Sequence, residues 1–457
     1  MKQALIGIGS GLGAGLIALG LLFLGPLSPA DSTSEELVSS PTAAPQATLN
    51  PVPETTEPAE IEPQLVQCSV STLEDVPEIL SLQAQVIDAS NGAVLFDRAS
   101  QTPARSASVM KLFTAAAALE TLGPDYRITT RIYVDAEDPG KIYFVGAGDV
   151  TLSRAGVNQN SVYAKAPKLI DLASQVTRAA SELVITEIVL DSSLYGGASG
   201  EYQSVWDQRG LTNGYMSPVS ALQVDADRMD PGLKESPRSN DPVSRAGLWL
   251  KEALGEVALD AEITKGITPA TAVQIASVQS RPISEWIDYM LVVSDNSQAE
   301  ALARLVSLDV GLDGSFDSLT KAFQIALRGT GLDLSDIVVE DGSGLSKYNQ
   351  ISPALVNDLL LLVDQSFGDF KLIRLGMPVS GTPGSLSYRF DDAVGSITAK
   401  TGWIRTGYTL AGFIEAPDET KLIFTIYNLG EVSAANREAM DELVMGFYDC
   451  GAALVNR

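Results

Sequence analysis

Histidine is absent from all 457 residues, and cysteine occurs only twice, as Cys68 and Cys450. The first absence removes Ser-His-Asp and Cys-His hydrolytic machinery, His-ligated zinc and imidazole proton transfer together. The second removes thiolate metal clusters, so no metal or cofactor is expected. If the chain is a hydrolase, its base must be a lysine, a carboxylate or a water-activating pair. Positive charge is scarce as well, with 31 Lys and Arg against 57 acids and a net charge of −26. A surface of that sign repels phosphate backbones and argues against a nucleic-acid partner. Apolar residues are plentiful at 45%, enough for a large core spread over two or more domains.

The two cysteines lie at opposite ends of the region that reads as folded. In an exported chain they suit a disulfide closing a very long loop, worth ~5 kcal/mol or more in the chain-entropy model. Two unrelated buried thiols are the alternative. Export has its own signal: residues 4–25 form an uncharged run of 22, with Lys2 before it and acids after it. Residues 1–30 therefore read as a cleaved signal peptide or a retained membrane anchor. Residues 31–67 hold six prolines, seven acids and no basic residue, the composition of a disordered, extended linker.

Downstream, "LQAQVIDASNGAVLFD" (82–97) alternates around Asn91-Gly92 as a β-hairpin. An apolar helix follows, running to about Leu122. Near the other end, "SITAKTG", "YTLAGFIEA" and "KLIFTIYNL" read as three successive antiparallel strands, with a helix from about Ala434 onward. Strands from both ends would share one sheet flanked by helices, an α/β (α+β) arrangement that brings Cys68 near Cys450. Residues 123–225 have short β-like runs and one helical stretch, 166–182, and read as an inserted smaller β-rich domain. The catalytic domain would then be 68–122 with 226–457.

Three short boxes carry chemistry. In "ARSASVMKLFTAAAALE", Ser108 and Lys111 are spaced i, i+3 on one helix face, so hydroxyl and amine can meet. A buried lysine near another ammonium loses proton affinity and can act as a base. Alone the pair is weak evidence, since a serine at a helix start is commonly a cap, and Ser318 and Lys321 repeat the spacing. The second box is Ser294-Asp295-Asn296 and the third Lys400-Thr401-Gly402. Ser-x-x-Lys, Ser-Asp-Asn and Lys-Thr-Gly in that order form the signature of penicillin-binding proteins and class A β-lactamases. Ser294 and Asn296 suit proton transfer and holding of a substrate amide. Lys400 would keep Lys111 neutral and, with Thr401, attract a carboxylate. Gly402 would let a substrate backbone lie on the strand edge.

At these residues, and at "VGAGDVTLS", "YMSPVSALQVD" and "VEDGSGLSKYN", the chain resembles the class C low-molecular-mass penicillin-binding proteins, the D-alanyl-D-alanine carboxypeptidase/endopeptidases, over about residues 75–450. The resemblance implies the penicillin-binding/β-lactamase-like transpeptidase fold, with Ser108 as acylated nucleophile and Lys111 as its base. It places Ser294, Asn296, Lys400 and Thr401 in the site, with the backbone N–H groups of Ser108 and Trp403 as oxyanion hole. It implies peptidoglycan stem peptides as substrate, β-lactams as covalent inhibitors and a location at the outer face of the cytoplasmic membrane. Fuller members carry a domain II with a third domain inside it. Here Ser108 and Ser294 are 186 residues apart, so domain II is expected and domain III is not. Asp207, in "QSVWDQRGLTNGY", is the candidate for recognising a diaminopimelate side chain, with a plain surface aspartate as the alternative. A serine β-lactamase and a non-catalytic envelope scaffold remain the competing functions.

Overall fold

The computed structural model describes residues 67–179, 184–196 and 201–455. The expected signal or anchor and nearly all of the linker lie outside the described residues.

The first sheet is antiparallel throughout, in the spatial order Val94–Arg98, Ser81–Asp88, Lys421–Leu429, Gly407–Glu415, Ile397–Ile404. The N-terminal hairpin thus pairs with the C-terminal meander, Ser81 opposite Leu429 and Asp88 opposite Leu422. Lys421–Leu429 is buried from Leu422 onward because both of its faces are covered. Ile423 and Tyr427 enter the core that holds the nucleophile helix, whereas Leu422, Phe424 and Ile426 pack beneath helix Ala434–Cys450. Cys68 and Cys450 are bonded, with their Cα atoms 5.4 Å apart, so the expected disulfide is present.

Helix Met110–Thr121 runs through the larger core, and every residue from Met110 to Leu119 is buried. Its four successive alanines, 115–118, offer little bulk, and helix Asn296–Asp309 packs alongside it. A helix enclosed on all sides holds its first turn in fixed register.

The second sheet is mixed, in the order Glu262–Lys265, Glu187–Asp191, Lys141–Val145, Thr129–Val134, Val273–Gln279. Helices Leu169–Ala179 and Pro242–Leu254 cross between its parallel strands and cover it. This corrects the expected insertion boundary. Residues 123–225 supply only three of the five strands, and the sheet is completed by 242–279 before helix Ile283–Val293 returns to the larger core. The two unforeseen strands are the sheet's edges, mostly exposed or half-buried, so burial does not impress on them the apolar alternation that marks a strand.

Candidate active site

Ser108 lies in a tight 3-10 turn, Ala107–Val109, that leads into helix Met110–Thr121. Neither Ser106 nor Ser108 caps that helix. Ala107 has a positive φ of 43°, a region costly for a residue with a Cβ. Two glycines hold this turn in place. A Cβ on Gly344, itself at φ +87°, would lie 1.8 Å from Ala107 O, and one on Gly402 would lie 2.9 Å from Ser108 N. Thr409 Oγ1 also donates to Ser106 O at 2.7 Å. Gly402 is therefore required by the nucleophile turn packed against it, a reason distinct from the expected room for substrate backbone.

Lys111 is fully buried, and its Nζ lies 2.9 Å from Ser108 Oγ, 2.8 Å from Asn296 Oδ1 and 2.6 Å from Ser343 O. Asn296 Nδ2 donates to Tyr215 O at 3.0 Å, which fixes the amide with its oxygen towards Lys111. A neutral amine has two hydrogens and one lone pair. The two pure acceptors, Asn296 Oδ1 and Ser343 O, take the hydrogens, so the lone pair faces the Ser108 hydroxyl. Burial brings Lys111 down to about 8, against the pull of Asp341, Glu300 and Asp295, while Lys234 helps to lower it. Lys400 also lies well below its ordinary value, through burial first and then the charges of Lys111 and Lys234. Burial is the largest cause that frees Lys111, and the two amines lower each other's proton affinity only as far as their charges face one another.

The second and third boxes meet at this point. Ser294 ends helix Ile283–Val293 in the left-handed region (φ 61°), and Asp295 starts the next helix by accepting from Gln298 N. That turn sends Ser294 towards Lys400, whose Nζ donates to Ser294 Oγ at 3.0 Å and to Thr401 O at 2.7 Å. Asp295 makes a buried ion pair with Arg228 at 2.8 Å. Burial would raise its carboxyl, but the Arg228 charge and the Gln298 amide hold it below the usual range. Thr401 Oγ1 donates to Ser385 Oγ at 2.8 Å. Strand Ile397–Ile404 is the sheet's edge, so this row opens onto a cleft of about 1110 Å³.

The profile of the D-Ala-D-Ala carboxypeptidase 3 (S13) family matches residues 67–237 and 232–447. The chain belongs to this family. It is 31% identical over 451 residues to the carboxypeptidase DacB of Mycolicibacterium smegmatis, covering 95% of this chain and 94% of that protein. A carboxypeptidase of Mycobacterium tuberculosis is 33% identical over 386 residues, 82% of each chain. The crystal structure of penicillin binding protein 4 from Haemophilus influenzae superposes with a TM-score of 0.71 at 19% identity, covering 83% of this chain and 99% of that one, which supports the fold. A second crystal structure of that Haemophilus protein holds a β-lactam.

Within this S13 carboxypeptidase, the five residues expected to carry the chemistry form two hydrogen-bonded sets, Ser108–Lys111–Asn296 and Ser294–Lys400, with Ser108, Ser294 and Asn296 lining the same cleft. The spurious Ser-x-x-Lys pair is separate: Ser318 Oγ donates to Ser315 O, and Lys321 is exposed. Asp207 lies on the cleft wall, gripped by the Arg209 guanidinium through both carboxylate oxygens and held by it below its ordinary range. The side chain of Trp403 is half exposed at the cleft.

Other participants escaped the sequence reading. Ser343 receives Lys111 through a backbone carbonyl, which no side-chain pattern reports. Asp341 folds the 341–346 loop by accepting from Gly344 N, Ser346 N, Asn349 Nδ2 and Trp206 Nε1. Ser385 comes from the loop "PVSGTPGSL", which imitates a third box and looks unrelated in sequence.

Proposed function

We propose that this protein is a serine-type D-alanyl-D-alanine carboxypeptidase that cleaves the terminal D-Ala-D-Ala bond of peptidoglycan stem peptides through an acyl-enzyme on Ser108. The observation that carries this reading is the Lys111 amine, whose two acceptor partners leave its lone pair for the Ser108 hydroxyl. Lys111 takes that proton as Oγ attacks the penultimate D-alanine carbonyl. The developing oxyanion rests against the N–H groups of Ser108 and Trp403. Lys111 hands that proton on through Ser294, which is paired with Lys400, to the leaving nitrogen, so D-alanine departs and Lys111 is neutral again. Water then attacks the ester, giving its proton to Lys111, which returns it to Ser108 Oγ as the shortened stem is released.

The substrate carboxylate docks beside Thr401, Ser385 and Lys400. The same attack on a cross-link between stems is endopeptidase chemistry, and Asp207 would meet the third-position side chain. We assign 123–279 to domain II and infer that domain III is absent. Work on peptidoglycan places the protein in the cell envelope, either secreted or held at the outer face of the cytoplasmic membrane by its N-terminal segment. β-Lactams would acylate the same serine. A lasting adduct is expected; of the three cleft acids, Asp207 and Asp295 are engaged by Arg209 and Arg228.

The test is release of D-alanine from a pentapeptide stem, with intact-protein mass after penicillin treatment. The wild type should release D-alanine and keep a penicilloyl adduct, and Ser108→Ala should do neither. Release by the Ser108→Ala protein would overturn the mechanism. Rapid loss of the adduct would favour a β-lactamase, and no release by the wild type would favour a scaffold.

A further inference from the structure

Glu300 belongs to none of the three boxes, yet it stands four residues after Asn296, on the face that Asn296 turns to Lys111. It is 1% exposed. Its Oε1 accepts the Ser343 N–H at 2.8 Å, while Oε2 is buried with no hydrogen-bond partner among the described residues. Ser343 is the residue whose carbonyl receives Lys111 at 2.6 Å. The next amide, Gly344 N–H, is held by Asp341 Oδ1 at 2.7 Å. Two buried carboxylates thus grip the two N–H groups that bracket the one carbonyl aimed at the base. The neighbouring cation does not quench Glu300 by contact: Arg304 donates to Gly314 O at 2.6 Å and stacks 3.9 Å from the Phe316 ring centroid. A purely structural acceptor for Ser343 N–H needs no charge, and an acid with an unpartnered buried oxygen is a costly way to supply one.

We infer that Glu300 is a positioning residue for acylation: it fixes the Ser343 carbonyl on Lys111, and its negative charge sets the pH at which Lys111 gives up its proton and Ser108 becomes reactive. This rests on the proposed role of Ser108. The charged groups facing Lys111 are Asp341, Glu300 and Asp295, which favour its ammonium, and Lys234, which opposes it, with Lys400 next in the row. Those facing Glu300 are Asp341 and Arg304; burial and Asp341 lift its carboxyl to about 7. When ionised, Glu300 favours the Lys111 ammonium, so removing its charge lowers the proton affinity of Lys111.

The experiment is the pH dependence of Ser108 acylation by a chromogenic penicillin in the wild type, Glu300→Gln and Glu300→Ala. Glu300→Gln keeps the acceptor for Ser343 N–H and loses only charge. Its plateau rate should stay within a few-fold of wild type while the midpoint of the acid limb moves to lower pH by about half a unit, a gain of about threefold that fades below about pH 7 as the wild-type Glu300 takes up its own proton. Glu300→Ala also releases Ser343 and should lose plateau rate. A Glu300→Gln limb that coincides with wild type, or a Glu300→Ala protein with the wild-type plateau, would overturn the inference. The Lys111 titration followed by nitrogen NMR in the resting protein should carry the same shift without turnover. A wild type that forms no Ser108 adduct would therefore sink the functional reading, while the NMR shift would still decide the role of Glu300.

Discussion

Lys111 is a base because of where it sits more than because of its neighbours' charge. Burial lowers it to about 8, and three carboxylates keep it from falling further. The sign of the pH dependence follows. The unfolded chain holds this proton up to about 10.5 and the folded protein releases it near 8, so this group's contribution to stability rises with pH across that window and is unfavourable below it. Acylation needs the free amine, so its rate should climb tenfold per unit below an apparent value near 8 and level off above it. A stopped-flow pH profile with a chromogenic penicillin checks this, and a limb centred near 10.5 would contradict it. Lys111→Met should lower the acylation rate by about 10²–10⁴-fold, the usual worth of a general base. Its Ser108 adduct, quantified by mass, should fall accordingly.

At the scale of elements, the site is a turn clamped between a strand and a loop. The 3-10 turn at Ala107–Val109 is wedged between Gly402 of the edge strand and Gly344 of the 341–346 loop. A Gly344→Ala substitution adds a methyl against Ala107 O and places a Cβ at φ +87°. It should destabilise the protein by about 1–3 kcal/mol and depress acylation by moving Ser108 away from Lys111. Melting curves and adduct formation read the two effects, and an unchanged acylation rate would show that the turn does not depend on this contact. The same elements show what was legible in advance. The buried strands, the nucleophile helix and all three boxes could be read because side-chain identity carried their signal. The Ala107 backbone strain, the Ser343 carbonyl and the reach of Ser385 could not, since they are set by backbone geometry and by loops distant in sequence. The edge strands Glu262–Lys265 and Val273–Gln279 failed for the opposite reason: they have sequence but little burial to pattern it.

For the whole molecule, charge and closure matter most. The chain carries a net charge of −26, yet the cleft wall has eight Arg and Lys residues against three acids. Such a local inversion focuses an anionic substrate onto Ser108 while the rest of the surface repels it. Closure comes from the ends of the folded chain. The N-terminal hairpin completes the sheet built by the C-terminal strands, and Phe447 of the last helix packs on Phe96 at 5.1 Å between ring centroids. Cys68 N donates to Ala453 O, Val455 N donates to Cys68 O, and the disulfide links positions 382 residues apart. Constraining so long a loop acts mainly on the unfolded chain, so Cys68→Ser with Cys450→Ser should cost about 2–5 kcal/mol. The active site lies on the far edge strand, Ile397–Ile404, with three strands between it and the hairpin's outer strand. Acylation at 25 °C should accordingly persist in the double variant while its thermal midpoint falls by several degrees. If the midpoint holds, the hairpin pairing and the Phe96–Phe447 contact alone close the domain. Loss of acylation at a temperature where the variant is still folded would instead mean that the strain of opening reaches Lys400 through the sheet.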